Sequence, residues 1–358
     1  MNSFAAEIAR LKVFADVAGL PYAWGGPVGT AVMRARPEDF RVTENSGLEP
    51  AGAGEHLLLK VRKTGQNTRW VAKRLAELAG VPYRAVSYAG LKDRHAVTEQ
   101  WFSIHLPGQS DPQLDIAQDA GFEVLEKRRH DRKLRPGQLD HNCFVLRLSN
   151  CSVHDPAALQ TRLASIGAIG APNYFGAQRF GRDLGNLDLL DSPAGLRRLN
   201  RETRAFALSA LRGALFNGYL AERVARGDWA EALDGEKLIS DRPRGAAENP
   251  AGLFSNRRSP TGLLWGQNQQ WSDNAAGARE RAYYDCFPHT RALLEKAGCR
   301  CARRVLIAQL GGLNCALGAA EATLGFALGS GSYATMAVRE LLIAEDAASD
   351  AAQPGEEA

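Results

Sequence analysis

The chain has no apolar run approaching the ~18 residues that a membrane span requires. Its start lacks the basic, apolar and small-residue regions of a secretory signal. Residence in the cytoplasm is therefore expected, and a membrane partner is not. Six cysteines (Cys143, Cys151, Cys286, Cys299, Cys301 and Cys315) form neither a secreted framework nor Cys-x-x-Cys pairs. The one close pair is Cys299-Arg300-Cys301, with no His or Cys after it at zinc-finger spacing. Reduced thiols and no metal are expected. A P-loop, a Gly-x-Gly-x-x-Gly turn after a strand and a His-x-x-x-His pair are all missing, so no cofactor is expected either. No internal repeat is visible. Positive charge stops at Leu341: five acids and no Lys or Arg follow, which reads as a disordered, solvating tail over residues 346–358.

What remains is rich in signal. A length of 358 residues leaves room for about two domains at ~150 residues each. Hydrophobic content of 45% and charge of 23% are those of a soluble globular protein. All 44 Lys and Arg precede Leu341, against 35 of the 40 acids, a formal +9 that favours a polyanionic partner. The densest positive run, Lys127 to Arg135, sets six Lys or Arg against one Asp. Lying between predicted strands at 121–126 and 141–148, it reads as a phosphate-binding loop that positions without reading bases.

The centre of the chain is Tyr88-Ala-Gly-Leu-Lys-Asp-Arg-His-Ala-Val-Thr-Glu-Gln-Trp101. Within it Asp93 stands between Lys92 and Arg94. A carboxylate among cations stays ionised at neutral pH and can serve as nucleophile or base; the same triplet also fits a solvated loop. Upstream, 67–80 reads as a helix capped by Asn67 or Thr68 and stopped by Gly80, with Val71, Leu75 and Leu78 on one face. Phe40 opens an alternating strand, where a ring is usually core. In the strand from His141, Asn142, Phe144 and Leu146 share a face. An amide beside a ring is costly if buried without partners, and useful if the face is a pocket in which the amide meets a base edge and the ring stacks beneath it. Residues 235–280, rich in Gly, Pro, Asn and Ser, read as loops, and Arg300 to Arg304 as basic surface.

Taken whole, Tyr88 to Trp101 resembles, nearly residue for residue, the signature of the TruD family of transfer RNA pseudouridine synthases. There the Asp at the Asp93 position is the catalytic nucleophile. Pro37-Glu-Asp-Phe40, Asn142-Cys-Phe144, Gly331-Ser-Tyr-Ala-Thr335 and Val338-Arg-Glu-Leu341 match further family motifs, and the resemblance runs from about residue 20 to 342 around a divergent middle. It implies that Phe40 lines the uracil pocket and that Asn142 and Phe144 contact the uracil. Tyr333 stands where relatives often carry Phe, keeping the stacking face.

The implied fold class is α+β. A pseudouridine-synthase-like catalytic domain, residues 1–167 plus 308–345, has a mixed, mainly antiparallel sheet with flanking helices. An inserted α/β TRUD domain, 168–307, interrupts it. The implied activity is isomerisation of a specific uridine in transfer RNA, at position 13 in the D-arm region, to pseudouridine, by a monomer with no protein partner. Such enzymes pair the nucleophile with a basic side chain. Arg34 is the candidate, because Lys92 and Arg94 project differently from Asp93 on an extended chain. Two other readings stand beside this one: a non-catalytic structured-RNA-binding protein, and a glycosidase pairing Asp93 with Glu99 or Glu44.

Overall fold

The computed structural model describes residues 3–114, 121–190, 195–240, 253–254 and 257–348. Among them the helices are α1 (Phe4–Ala15), α2 (Thr68–Leu78), α3 (Pro156–Ile169), α4 (Gly185–Asp188), α5 (Arg201–Ala225), α6 (Asn274–Tyr284), α7 (Pro288–Lys296) and α8 (Ala334–Arg339). The strands begin with β1 (Gly29–Met33), β2 (Phe40–Asn45), β3 (His56–Thr64), β4 (Val86–Tyr88), β5 (Val97–His105), β6 (Phe122–His130) and β7 (His141–Val153). Four short ones follow, β8 (Ala171–Pro172), β9 (Ile239–Ser240), β10 (Arg258–Ser259) and β11 (Thr261–Leu264). The last are β12 (Ala302–Val305), β13 (Ile307–Ala308), β14 (Gly311–Leu317), β15 (Ala322–Gly329) and β16 (Ile343–Asp346).

One ten-stranded sheet carries the fold, in the order β14-β15-β7-β2-β5-β3-β6, with β1 beside β7 and β16, and β4 beside β5. Pairing is antiparallel except at β2 with β5 and β1 with β16, the mixed, mainly antiparallel sheet expected of this α+β chain. The long β7 organises it, because strict alternation along the strand sends Phe144, Leu146 and Leu148 inward and Cys143, Val145 and Arg147 outward. Its neighbours are fixed in register by that pattern, Phe40 opposite Leu146 on one side and Phe326 opposite Phe144 on the other. The strands that follow residue 307 thus return to the sheet built by the first half of the chain.

Three apolar cores result. One lies between the β7 face and α3 and α8. A second packs Val71, Ala72 and Leu75 of α2 against Leu57, Leu59 and Val61 of β3. The third surrounds α5, whose second half is buried almost all round. At Gly218 an added Cβ would fall 2.1 Å from the Tyr283 hydroxyl, so only glycine lets α6 approach there. The third core also takes in Ile8, Leu11 and Ala15 of α1. By packing, the N-terminal helix belongs with the 168–307 segment although it precedes the sheet in sequence.

Several expectations need correction. Neither Asn67 nor Thr68 caps α2 through its side chain; the Thr68 hydroxyl is engaged elsewhere, as described below. The basic run does not start as a loop, since Lys127 to His130 lie on β6 at the sheet edge. Within 235–280, β11 pairs with β12 and α6 begins at Asn274, while residues 241–252 and 255–256 lie outside the described ones. Arg303 and Arg304 sit on β12 with inward partners, Arg303 on the buried Glu280 and Arg304 on Asn173. The acidic tail begins later than expected, because Asp346 closes β16; residues 349–358 lie outside the described set.

The joint between α1 and α7 is testable. Glu7 is fully buried and accepts from the first-turn amides of α7, His289 N at 3.1 Å and Thr290 N at 2.8 Å, as a capping carboxylate does. Burial alone would raise its pKa, yet the hydrogen bonds from Thr290 and His289 outweigh it and hold the group below the usual value. The stability it contributes is complete above the unfolded-state carboxylate range and is lost as pH falls through the lower folded-state value. Glu7→Gln is expected to cost about 1–3 kcal/mol in urea unfolding at pH 7, and progressively less in acid. An equal cost at pH 7 and pH 3 would contradict the cap.

Candidate active site

The loop between β4 and β5 is held from outside by three buried side chains. Gln100 Nε2 donates to Gly90 O at 3.1 Å, and Gln100 Oε1 accepts from the Thr68 hydroxyl at 3.0 Å. Thr68 Oγ1 in turn accepts from Lys92 N at 3.0 Å. Lys63 Nζ donates to Asp93 O at 2.7 Å. Thr68, Gln100 and Lys63 are 2%, 0% and 0% exposed. Buried side chains that satisfy a loop's backbone groups replace the partners a ladder would supply, so Asp93 is presented from a fixed backbone.

The Asp93 carboxylate is half-buried, and its Oδ1 accepts from Gln178 Nε2 at 3.3 Å. Gln178 belongs to the 3-10 turn Ala177–Phe180, in the Gly-rich and aromatic run that follows α3. Beneath the loop, burial pushes the Lys63 amine down to about 8 while the Asp93 charge pulls it upward. Lys63 therefore remains largely protonated at neutral pH and places a cation under the acid.

Lys92 reaches the opposite way. Its Nζ donates to Asn142 Oδ1 at 2.7 Å and lies 2.8 Å from Glu44 Oε2. The Lys92 and Glu44 side chains are 6% and 0% exposed. Among the described residues no donor meets Glu44 Oε2 at a hydrogen-bonding angle, so attraction of charge holds that contact, while Oε1 accepts from Trp101 N at 3.3 Å. Lys92 thus joins the Asp93 loop to β2 and β7. On β7, two residues beyond Asn142, Phe144 meets Phe40 edge-on at 6.1 Å and stacks on Phe326 at 5.5 Å.

Of the residues named from sequence, Phe40, Asn142 and Phe144 come together on one sheet face, and Lys92 ties that face to Asp93. Phe40 is only 2% exposed, which makes it a wall beneath Phe144. Tyr333 arrives from the other side. Its ring meets Phe175 edge-on at 6.1 Å and lies so close to Gly176 that a Cβ there would sit 3.0 Å away. The short segment from Phe175 to Gln178 therefore touches both Tyr333 and Asp93. Arg34 binds Asp346 of β16 through Nε at 2.9 Å and lies 5.1 Å over the Phe40 ring. Among the described residues, a cation that does bond residue 93 is Lys63, at its backbone carbonyl.

The family model for tRNA pseudouridine synthase D (TruD) matches residues 19–190 and 186–341. The chain belongs to the TruD family. A tRNA pseudouridine synthase D of Aeromonas salmonicida is 41% identical over 336 residues, 92% of this chain and 95% of that one. One from Xanthomonas campestris pv. campestris is 44% identical over 359 residues, covering 93% and 97%. The crystal structure of a Methanosarcina mazei protein assigned to TruD shares the fold, with a TM-score of 0.67 at 19% identity over 90% of this chain and 95% of that one.

Sequence reading of this TruD-family chain missed Lys63, Gln178 and the role of Lys92. A signal existed for Lys63: Leu57, Leu59 and Val61 set the buried register of β3, and a Lys two residues further is a cation on an apolar face. Gln178 carried none, because its partner lies 85 positions away. Arg304 was likewise unreadable. It donates to Gly331 O at 2.8 Å and to Asn173 Oδ1 at 2.6 Å and lies 4.1 Å over Phe175, joining the Tyr333 turn to the segment that reaches Asp93.

The buried lysine has a measurable signature. Its folded pKa of about 8 lies below the ordinary 10.5, so between those values the unfolded chain holds a proton that the folded one has released. Folding stability from this group rises across that window and carries its full penalty below it. Equilibrium unfolding of the native chain is expected to show a rise in stability between pH 8 and 10 that Lys63→Met lacks; an unchanged slope would place the charge elsewhere.

Proposed function

We propose that this chain isomerises one uridine of transfer RNA, uridine 13 in the D-arm region, to pseudouridine, with Asp93 as nucleophile on a flipped-out nucleotide. The observation that carries the reading is the 2.7 Å bond from Lys92 to Asn142, which links the loop presenting Asp93 to the face of Phe144 and Phe40. The isomerisation breaks the N1 to C1′ bond, turns the uracil and joins C5 to C1′. An ionised carboxylate and a pocket that retains the freed base meet that need. In this reading Phe144 and Tyr333 flank the base, with Phe40 behind Phe144. Asn142 donates to the base, while Gln178 aims the Asp93 carboxylate and Lys63 fixes its backbone. The exposed Lys127, Arg128, Arg132, Lys133 and Arg135 would take phosphates. The catalytic unit is then 1–167 with 308–345, apart from the N-terminal helix that packs in the α5 core, and 168–307 is an insertion that lends Gln178.

The environment opposes the glycosidase alternative. Glu44 is held by Lys92 at 2.8 Å and Glu99 by Arg62 at 2.8 Å and Lys60 at 3.4 Å. A general acid must be free to reach the leaving-group oxygen, and these ion pairs hold both carboxylates on basic side chains.

Asp93→Asn is expected to abolish tritium release from transfer RNA labelled at uracil C5 while gel-shift affinity stays within about threefold, since phosphate contacts dominate affinity. Retained turnover would remove Asp93 from the chemistry. For Phe144→Ala the expectation is a fall in kcat of roughly 10- to 100-fold, the worth of a base-stacking ring, with near-native binding. A loss confined to affinity would make that ring an outer RNA contact.

A further inference from the structure

Lysine is a donor with no acceptor. Only the carbonyl oxygen of the Asn142 amide can face its ammonium, and Oδ1 does so at 2.7 Å. The opposite flip would set an NH2 group against an NH3+ group and forfeit a charge-assisted hydrogen bond. Lys92 is itself immobilised, 6% exposed, against the fully buried Glu44, and its backbone N–H is bound to Thr68. The orientation of the Asn142 amide is therefore set by charge, and Nδ2 is the polar atom left to meet a ligand.

We propose that Lys92 locks Asn142 as a one-way donor, and that this fixed donor selects uracil through both halves of the isomerisation. The inference rests on the reading of Asn142 as a base contact. Turning the freed ring about its N3 to C6 axis exchanges N1 with C5 and, with them, O2 with O4. Uracil carries a carbonyl on each side of N3, so Nδ2 meets a carbonyl oxygen before the turn and another after it. Cytosine carries one carbonyl and one amino group. Whichever side is read first, in one of the two orientations its amino group would oppose a locked donor. An amide free to flip would accommodate both bases; a locked one rejects cytosine, because a donor left facing a donor is an unpaired polar group in a closed pocket. Lys92 is thus a positioning and specificity residue, acting through Asn142.

The test compares affinities in the turnover-deficient Asp93→Asn background, using full-length transfer RNA transcripts with uridine or cytidine at the modified position. Affinity reports the orientation before the turn, in which Nδ2 is proposed to meet O4, so with Lys92 in place uridine is expected to be preferred by roughly 10- to 100-fold, the discrimination of one well-placed base contact. Lys92→Gln can donate to or accept from the amide and so permits either flip; it is expected to reduce that preference to about twofold or less, while Lys92→Arg, again a donor only, restores it. A folded Lys92→Gln protein that keeps the preference overturns the lock.

Should Lys92→Gln fail to fold by far-UV circular dichroism, Asn142→Asp decides. It keeps a partner for Lys92 but turns an acceptor to the base, and is expected to lower kcat at least as far as Asn142→Ala. Native turnover in Asn142→Asp would show that the base is read by an oxygen and refute the proposal. If Asn142→Ala has native turnover and native base preference, the reading of Asn142 as a base contact fails instead, and the two failures are told apart.

Discussion

One ammonium group joins the parts of this molecule that must act together. Lys92 projects from the loop before β5, and its charge is shared between Glu44 of β2 and Asn142 of β7. A cation this deeply buried is tolerated only with a close counter-charge and satisfied hydrogen bonds, and losing either partner leaves the other exposed to the full desolvation penalty. The loop cannot drift from the sheet without separating those charges. Thr68, Gln100 and Lys63 bind the same loop by its backbone, so side-chain contacts and main-chain contacts agree on where Asp93 sits.

The second constraint is topological. The strands that return after residue 307 pair with β7 and β1, which brings Phe326 onto Phe144 and the Tyr333 turn to the edge of the site. Between the two halves the chain runs through the α5 core, and the segment from Asn173 to Gln178 emerges from it. There Asn217 of α5 accepts from Phe175 N at 2.8 Å and donates to Phe175 O at 3.1 Å. A buried amide satisfied on both sides fixes a backbone as firmly as a ladder does. The middle of the chain thereby holds Gln178 against Asp93 and Phe175 against Tyr333.

The period-two face of Asn142, Phe144 and Leu146 was legible in the sequence because strand geometry leaves side chains no other choice, and so was the face of α2. The Asp93 loop was legible as a motif, but its clamp was not. Thr68 looked like a cap, and only the tertiary structure shows its hydroxyl given to Gln100 and Lys92. The same limit hid the burial of Arg303 and Arg304: their partners Glu280, Asn173 and Gly331 come from segments far away in sequence, and a run of arginines carries no mark of its carbonyl and carboxylate acceptors. The parallel pairing of β2 with β5 was equally out of reach, since β3, α2 and β4 intervene.

If the loop, the locked amide and the rings form one catalytic unit, the reaction should occur at one place in a folded RNA and need nothing but the protein. Unmodified transfer RNA incubated with the purified chain, then mapped by carbodiimide labelling of pseudouridine, tests this most directly. The account requires one new stop, at position 13, with no loss of base and no strand scission. Bound RNA that acquires no label, or a released free base, would contradict it.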